Sequence, residues 1–222
     1  MAHRNPRPAI ALIGDIVASR RLDPRRRTAL QGRLEQLLDA VNRQHRESIA
    51  ARFLVTLGDE FQGVLTRGDA VPDIVWQLET ELRQIDVRIA IGLGTLHPPF
   101  KDYALGMDGP AFHQAREAIE LSRKRRLNGG VFAGFGDDDP VLNGFARILR
   151  YVREGFTERQ LHTAALLRGG IRQSEVADRL GVTRQMVNVR VKGSGWDAYA
   201  EAENGWRRVL AKYDLTRHWR KR

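Results

Sequence analysis

The sequence predicts an α+β fold, in which a ferredoxin-like, split-βαβ domain precedes an all-α helix-turn-helix domain. Up to about residue 135, short apolar runs rich in β-branched residues alternate with longer segments of helical periodicity. A turn-prone acidic segment at residues 137–140 then interrupts the pattern and is the best candidate for a linker. Beyond it, only helical periodicity recurs. We therefore expect two domains, residues 1–138 and residues 139–222.

The first elements follow from the spacing of apolar residues. Residues 9–17 form a short apolar run that predicts a buried strand. Pro24 then opens a helix, since proline is favoured at the first helical position. The apolar residues on one face of this helix are Leu30, Leu34, Leu37, Leu38 and Val41. Residues 52–57 and 61–65 are predicted strands of a hairpin around the turn Gly58-Asp59-Glu60.

The next segments complete the predicted sheet. A second amphipathic helix has a buried stripe formed by Val71, Ile74, Val75, Leu78 and Leu82. Residues 86–94 are a strand, and a third helix starts at Gly109-Pro110, reaches about Arg126 and carries Phe112, Ala115 and Ile119 on its apolar face. Residues 130–135 are a last, edge strand. The order βαββαβ followed by αβ predicts an antiparallel sheet with its helices on one face.

Charge divides the chain unevenly. Residues 1–139 hold 20 Lys/Arg against 19 Asp/Glu, whereas residues 140–222 hold 17 against 8, out of a total net charge of +10. A basic domain beside a neutral one indicates a module that binds a polyanion. A basic surface that serves only solubility explains the same numbers equally well.

Composition narrows the class of protein. The hydrophobic fraction of 42% and charged fraction of 29% are typical of a soluble globular protein. The chain has no cysteine, which excludes disulfides and thiolate metal ligands. Residues 1–8 lack the apolar stretch of a signal peptide, and no apolar run approaches the roughly 20 residues of a membrane span. We expect a cytoplasmic protein without a membrane partner.

Acidic residues occupy two neighbouring strand ends of the predicted sheet. Asp15 lies at the end of the first strand, and Asp59 and Glu60 lie at the tip of the hairpin. Two carboxylates held side by side repel each other unless a cation or a proton lies between them. We therefore expect Asp15, Asp59 and Glu60 to bind Mg²⁺ or Mn²⁺. The alternative is that Asp15 caps a loop and Asp59 only forms a turn.

Four motifs carry a family resemblance. GDIVASR (14–20), TLGDEFQG (56–63), RIAIGLG (88–94) and DGPAFHQAREAI (108–119) resemble the SatD family of bacterial proteins. The first three also resemble the core of class III nucleotidyl cyclases and of diguanylate cyclases, whose catalytic domain is GGDEF-like. The resemblance implies a cyclase-like palm in which the acidic positions hold catalytic metals and Gly58, His113 and Arg116 contact a nucleotide.

The sequence departs from the cyclase pattern at three positions. Cyclases carry Asn and Arg four residues apart on the helix after the fourth strand, where this chain has His113 and Glu117. Diguanylate cyclases have two glycines before the acidic pair, where this chain has Leu57-Gly58. Metal binding is thus preserved in outline, while nucleotide chemistry is not implied with the same force.

Basic residues on the third helix are candidate phosphate partners. They are Arg116, Arg123, Lys124, Arg125 and Arg126. The last four also fit a basic final turn that complements the helix dipole, which is the favoured interpretation for them. Arg116 has the stronger claim because it lies within the resembling motif. His113 is equally compatible with a catalytic base and with a packed polar residue.

Residues 173–191 have the spacing of a helix-turn-helix. Counted from Gln173, Ala177 is fifth and allows close helix contact, Gly181 is ninth and permits the turn, and Val187 is fifteenth and faces inward. A preceding helix, at about residues 157–168, completes the trihelical core. Its predicted core residues are Leu161, Ala164, Ala165 and Leu166.

The second helix of this motif has the side chains for double-stranded DNA. Arginine suits guanine, while asparagine and glutamine suit adenine. The candidate DNA-binding residues are Thr183, Arg184, Gln185, Asn188, Arg190 and Lys192, of which Thr183 also caps the helix. A helical hairpin used for protein contacts is the alternative. Residues 196–222 are predicted as one long aromatic-rich helix that packs on the trihelical core or forms the seam of a homodimer.

Three functions remain open at this point. The first is a DNA-binding regulator whose cyclase-like domain senses a nucleotide through a metal. The second is an enzyme that cyclises or condenses nucleoside triphosphates. The third is a protein-interaction module in which neither motif retains its ligand.

Overall fold

The computed structural model describes residues 5–17, 23–56, 58–127 and 129–219. The chain forms two compact units. The first, here called the sheet unit, comprises Met1–Asn143 and Arg207–Arg222, and the second, the helical unit, comprises Gly144–Trp206. These units divide the chain differently from the expected boundary between residues 138 and 139, because the sheet unit takes in the C-terminal segment.

The sheet unit is α+β and contains a five-stranded sheet. Its strands are β1 (Arg7–Ile16), β2 (Ile49–Val55), β3 (Glu60–Leu65), β4 (Val87–Leu96) and β5 (Gly129–Ala133), in the order β2-β3-β1-β4-β5. The first four strands pair antiparallel, and β5 joins the edge parallel to β4. The predicted succession of strands along the chain and the edge position of the last strand are confirmed, and β1 and β3 are neighbours in the sheet as expected.

Three helices of this unit bury the predicted apolar stripes. They are α1 (Pro24–Gln44), α2 (Val71–Glu81) and α3 (Pro110–Arg125). The Asp23 carboxylate accepts a hydrogen bond from the Arg26 amide at 3.0 Å and thereby caps α1, whose first residue is Pro24. All five apolar residues predicted on α1 are buried, and so are the five on the second helix.

The prediction that the helices lie on one face of the sheet is wrong. Ala11 and Ile13 of β1 share one apolar cluster with Ala115 of α3. Leu12 is equally buried and points to the opposite face, because side chains alternate along a strand. The helices α1 and α2 contact β2 and β4 and cover that second face. The uninterrupted apolar run of β1 is typical of a strand covered on both sides.

The predicted linker is part of the folded sheet unit, so that prediction is wrong. Asp139 begins α4 (Asp139–Glu154), and its carboxylate accepts hydrogen bonds from the amides of Gly134 at 3.2 Å and Phe135 at 3.0 Å. Asn143 bonds both backbone groups of Phe132 at 2.9 Å. Aspartate is favoured both in turns and at the start of helices, which explains why the acidic run resembled a linker.

The helical unit contains the part of α4 from Gly144 onward, α5 (Glu158–Arg168), α6 (Gln173–Leu180), α7 (Arg184–Ser194) and the greater part of α8 (Trp196–Leu210). The predicted positions of α5, α6 and α7 are confirmed. Their common core is formed by Ala164, Val176, Ala177, Val187 and Val191. The predicted core of α5 needs correction, since Leu161 and Leu166 are only half-buried and Ala165 is exposed. No described helix is long and apolar enough to cross a membrane.

The predicted long C-terminal helix ends earlier than expected. It stops at Leu210, and the described residues after it return to the sheet unit. There the Tyr213 hydroxyl contacts Asp138 at 2.8 Å, and the Trp219 indole donates to the Pro8 carbonyl at 2.8 Å. The apolar residues of this tail therefore pack in two different units. Their spacing alone does not show where one unit ends and the other begins.

Candidate functional site

The acidic positions meet across the middle of the sheet. Asp15 lies near the end of β1, directly opposite Glu60 on β3 and opposite Arg88 on β4. Asp59 lies one residue earlier, in the half-buried turn before β3. Glu60, rather than Asp59, is therefore the cross-strand partner of Asp15.

Two arginines neutralise Asp15. The Nε and Nη2 atoms of Arg123 lie 3.0 and 2.9 Å from Asp15 Oδ2, and Arg88 Nη1 lies 3.5 Å from Oδ1. Arg123 Nη2 is also 3.8 Å from Glu60 Oε2, and its Nη1 bonds Glu120. We call these five residues the Asp15 network. Burial lowers the pKa of Arg123, but the hydrogen bond and charge of Asp15, together with Glu120, outweigh burial and raise it.

The Asp15 network has the donor chemistry of a magnesium site but holds an internal cation instead. Carboxylate oxygens of Asp15 and Glu60 are suitable ligands for Mg²⁺. Both carboxylates, however, share the guanidinium of Arg123. Within the described ranges, no group of three or more His, Asp or Glu side chains is arranged to hold a metal ion. In this structure the two carboxylates therefore face a cation of the protein itself, and the predicted metal site stays a prediction.

Arg123 is the partner of Asp15, whereas the sequence predicts a phosphate ligand or a basic end of the helix at this position. The two residues are 108 positions apart, and no local pattern links them. The useful signal was the position of Arg123 on the helix that follows the fourth strand, combined with the strand order.

Gly58 and Gly14, the glycines of the acidic motifs, have structural roles of their own. Gly58 has φ 65°, and the Thr56 amide donates to the Glu60 carbonyl at 2.8 Å to close the turn. Leu57 lies outside the described residues. A Cβ on Gly14 would lie 2.1 Å from the ring of Phe61, its cross-strand partner. The turn and the packing of Phe61 therefore require these glycines without any ligand.

His113 and Arg116 lie apart from the Asp15 network. Both are exposed on the first half of α3. With a helical rise of 1.5 Å per residue, Arg116 is about 10 Å and His113 about 15 Å along the axis from Arg123. His113 Nε2 lies 3.1 Å from Asp108 Oδ1. The hydrogen bond from the Gly109 amide lowers the pKa of Asp108, and His113 lowers it further by a smaller amount. The two predicted nucleotide contacts therefore lie at the other end of α3.

The turn between α6 and α7 has the geometry that its sequence predicts. Gly181 has φ 60°, and the Val182 amide donates to the Ala177 carbonyl at 3.0 Å. The Thr183 hydroxyl accepts a hydrogen bond from the Met186 amide at 3.2 Å and caps α7. Val187 faces the core, so the opposite side of the helix faces solvent.

Four of the six predicted DNA contacts share the exposed side of α7. These are Arg184, Gln185, Asn188 and Lys192. The Thr183 side chain serves as the helix cap. Arg190 is half-buried, and its Nη1 donates to the Thr163 hydroxyl of α5 at 3.4 Å. Arg190 is thus directed toward the helical core rather than along the exposed face.

The positive charge of the C-terminal half is not concentrated in the helical unit. Residues 144–206 hold 10 Lys/Arg against 7 Asp/Glu, a net charge of +3. Most of the remaining positive charge lies in residues 207–222, which belong to the sheet unit. Charge therefore indicates nucleic-acid binding less strongly than the sequence alone suggested.

Comparison with known proteins identifies a family. The model of the SatD family matches residues 9–209. Among solved structures, a bacterial light-regulated adenylyl cyclase is similar to this chain, with 19% sequence identity and a TM-score of 0.43. The matched region covers 54% of this chain and 72% of the cyclase chain. No curated protein matches the chain.

Proposed function

The chain belongs to the SatD family, and we propose that it is a DNA-binding protein whose sheet unit binds a nucleoside triphosphate together with Mg²⁺ or Mn²⁺. On this proposal α7 enters the major groove of double-stranded DNA. Nucleotide occupancy of the sheet unit then shifts DNA affinity, because a ligand shifts any equilibrium in which it binds the two states unequally.

The observation that carries the DNA-binding proposal is the exposed side of α7. The cap at Thr183 and the turn at Gly181 direct the N-terminal residues of α7 outward. Arg184 and Gln185 are then the first exposed side chains of the helix, where major-groove readers make their base contacts. Arginine recognises guanine and glutamine recognises adenine by paired hydrogen bonds.

DNA binding is tested with the full chain. A preferred site is first selected from random-sequence duplexes, and its affinity is then measured by fluorescence anisotropy at one fixed salt concentration. Arg184→Ala should weaken binding to the selected site about tenfold or more, the usual effect of losing a paired base contact. Arg147→Ala, an exposed arginine on α4, is the matched control and should change affinity little. Absence of binding to any duplex would overturn the proposal.

The nucleotide-binding proposal rests on the pairing of Asp15 and Glu60. On this proposal the two carboxylates, with Asp59 beside them, hold the divalent cation after it displaces Arg123. The cation supplies positive charge that neutralises the triphosphate. Arg123, released from Asp15, remains at the edge of the site as a partner for phosphate oxygens.

Metal-dependent thermal stabilisation is the test of this second part. Each nucleoside triphosphate is added with Mg²⁺ or Mn²⁺, and the unfolding temperature is followed. We expect a metal-dependent increase that Glu60→Gln abolishes. Asp39→Asn, an exposed acid on α1, should leave the increase unchanged. Equal stabilisation of both variants would show that the acidic pair is not the site.

An active nucleotidyl cyclase or nucleotidyltransferase is the second candidate function. The specific observation in its favour is a guanidinium on the helix after the fourth strand, placed beside two carboxylates. In such a reaction a ribose hydroxyl attacks the α-phosphorus, its proton passes to solvent, and pyrophosphate leaves. Incubation with labelled triphosphates followed by chromatography is the test. A product that Glu60→Gln fails to form would make this protein an enzyme.

A further inference from the structure

Two apolar side chains on the exposed side of α7 lie outside the buried core of the helical unit. Met186 and Val189 are 45% and 63% exposed. They lie three residues apart and therefore on the same side of the helix. Val187 and Val191 already fill the core on the other side. Valine also favours helices less than most residues do, so helix stability does not explain Val189.

Met186 and Val189 line a groove between α7 and the start of α5. The groove encloses about 460 Å³. Its described lining residues also include Gln185, the exposed Arg159, and Arg190, whose guanidinium bonds Thr163, and no Asp or Glu is among them. This combination of apolar surface with positive charge complements a polyanion that presents small apolar groups.

We propose that Met186 and Val189 contact the C5-methyl groups of thymine, so that this surface of α7 selects duplexes with thymine at defined positions. The inference rests on the proposed DNA binding. The thymine methyl is the one alkyl group that the base edges offer in the major groove, and the other groups there are hydrogen-bond donors, acceptors and ring C–H. Apolar side chains pressed against those polar edges would leave them without partners, which is unfavourable.

The experiment compares duplexes that differ only in thymine methyl groups. The full chain first selects a site from random duplexes, and each thymine of that site is then replaced by uracil, which lacks the methyl. We expect about fourfold weaker binding for a contacted methyl, the effect of one lost buried methyl group. Val189→Ala should weaken binding to the thymine duplex by a similar factor and show no further loss on the uracil duplex.

Ile148→Ala, an exposed apolar residue on α4, is the control and should keep the full difference between thymine and uracil. If no duplex binds, both the inference and the DNA-binding proposal fail. If a site binds but uracil replacement has no effect, or if Val189→Ala loses the same factor on both duplexes, only the inference about thymine is overturned. If a protein or a small molecule binds this groove and the thymine methyl groups do not affect DNA affinity, the inference about thymine is also overturned.

Discussion

At the scale of single residues, Arg123 controls the charge of the candidate site. Its guanidinium contacts both Asp15 and Glu60, whose side chains are otherwise placed close enough to repel each other. The side chain of Asp15 is only 10% exposed, so solvent compensates little of its charge. Arg123 thus contacts both acids, with Arg88 as a second partner of Asp15, and on the proposed function a divalent ion competes with Arg123.

Replacement of Arg123 by Gln should destabilise the sheet unit. The change leaves Asp15 with Arg88 as its remaining cationic partner. Because Arg123 is 38% exposed, we expect a loss of about 1–2 kcal/mol, less than for a fully buried pair. Urea denaturation at neutral pH measures the loss. Arg125→Gln, an exposed arginine near the end of the same helix, should change the midpoint little, and equal effects would contradict the prediction.

The same substitution should strengthen metal binding. Without the guanidinium of Arg123, only the more distant Arg88 still contacts Asp15, so on the proposed function Mg²⁺ meets less competition for Asp15 and Glu60. We expect Arg123→Gln to respond to lower Mg²⁺ concentrations than the wild type in a thermal-shift titration, with Arg125→Gln resembling the wild type. An unchanged or weaker response would show that Arg123 does not occupy a metal position.

Tyr213→Phe should remove a stabilising contact within a defined pH range. The hydrogen bond from Tyr213 lowers the pKa of Asp138, with help from Lys212, while burial and Asp138 raise the pKa of Tyr213 to about 12. The wild-type advantage is therefore complete from about pH 5 to 9. It fades below about pH 4, as Asp138 protonates, and above about pH 10, as Tyr213 ionises. Urea denaturation of both proteins across this range is the measurement, and a pH-independent difference would contradict it.

At the scale of elements, the packing of α3 on β4 depends on glycines that the sequence motif contains. A Cβ on Gly92 would lie 2.3 Å from the Ala111 carbonyl oxygen and 2.4 Å from the Ala115 amide nitrogen. Gly94 makes a similarly close approach to the Ala111 amide.

Two glycine substitutions should have opposite effects on stability. Gly92→Ala places a methyl group against the backbone of α3, which cannot move away as a side chain can, and we expect a loss of about 2–4 kcal/mol. Gly32→Ala in α1 meets nothing within 4 Å and should stabilise the protein by about 0.5–1 kcal/mol through helix propensity. Thermal and urea denaturation of both variants test the pair. A Gly92→Ala protein as stable as the wild type would refute the packing argument.

At the scale of the whole molecule, the C-terminal segment belongs to the sheet unit. Arg207 forms two bonds with the Asp73 carboxylate, at 2.7 and 2.8 Å, and Trp219 packs edge-on against Phe100 at 5.1 Å between ring centroids. The chain therefore leaves the sheet unit within α4 and re-enters it within α8. The helical unit is an insertion between these two points.

Truncation after Trp206 should therefore destabilise the sheet unit rather than the helical unit alone. It removes the contacts of Arg207, Tyr213 and Trp219 with that unit. We expect a lower urea midpoint for the signal of the sheet, followed by circular dichroism. A chain that ends at Trp219 retains these contacts and is the control. If both truncated chains unfold at the same midpoint, the segment does not stabilise the sheet unit.

Sequence alone determined the features that neighbouring residues encode. The apolar stripe of α1, the positions of the strands along the chain, and the cap and turn around α7 follow from spacings of a few residues, because periodicity, caps and turns are local interactions. Tertiary structure decided three other features: the pairing of Arg123 with Asp15, the coverage of both sheet faces, and the return of the C-terminal segment. These depend on contacts between residues far apart in the chain, whose free energy is gained only when the sheet and helices pack together.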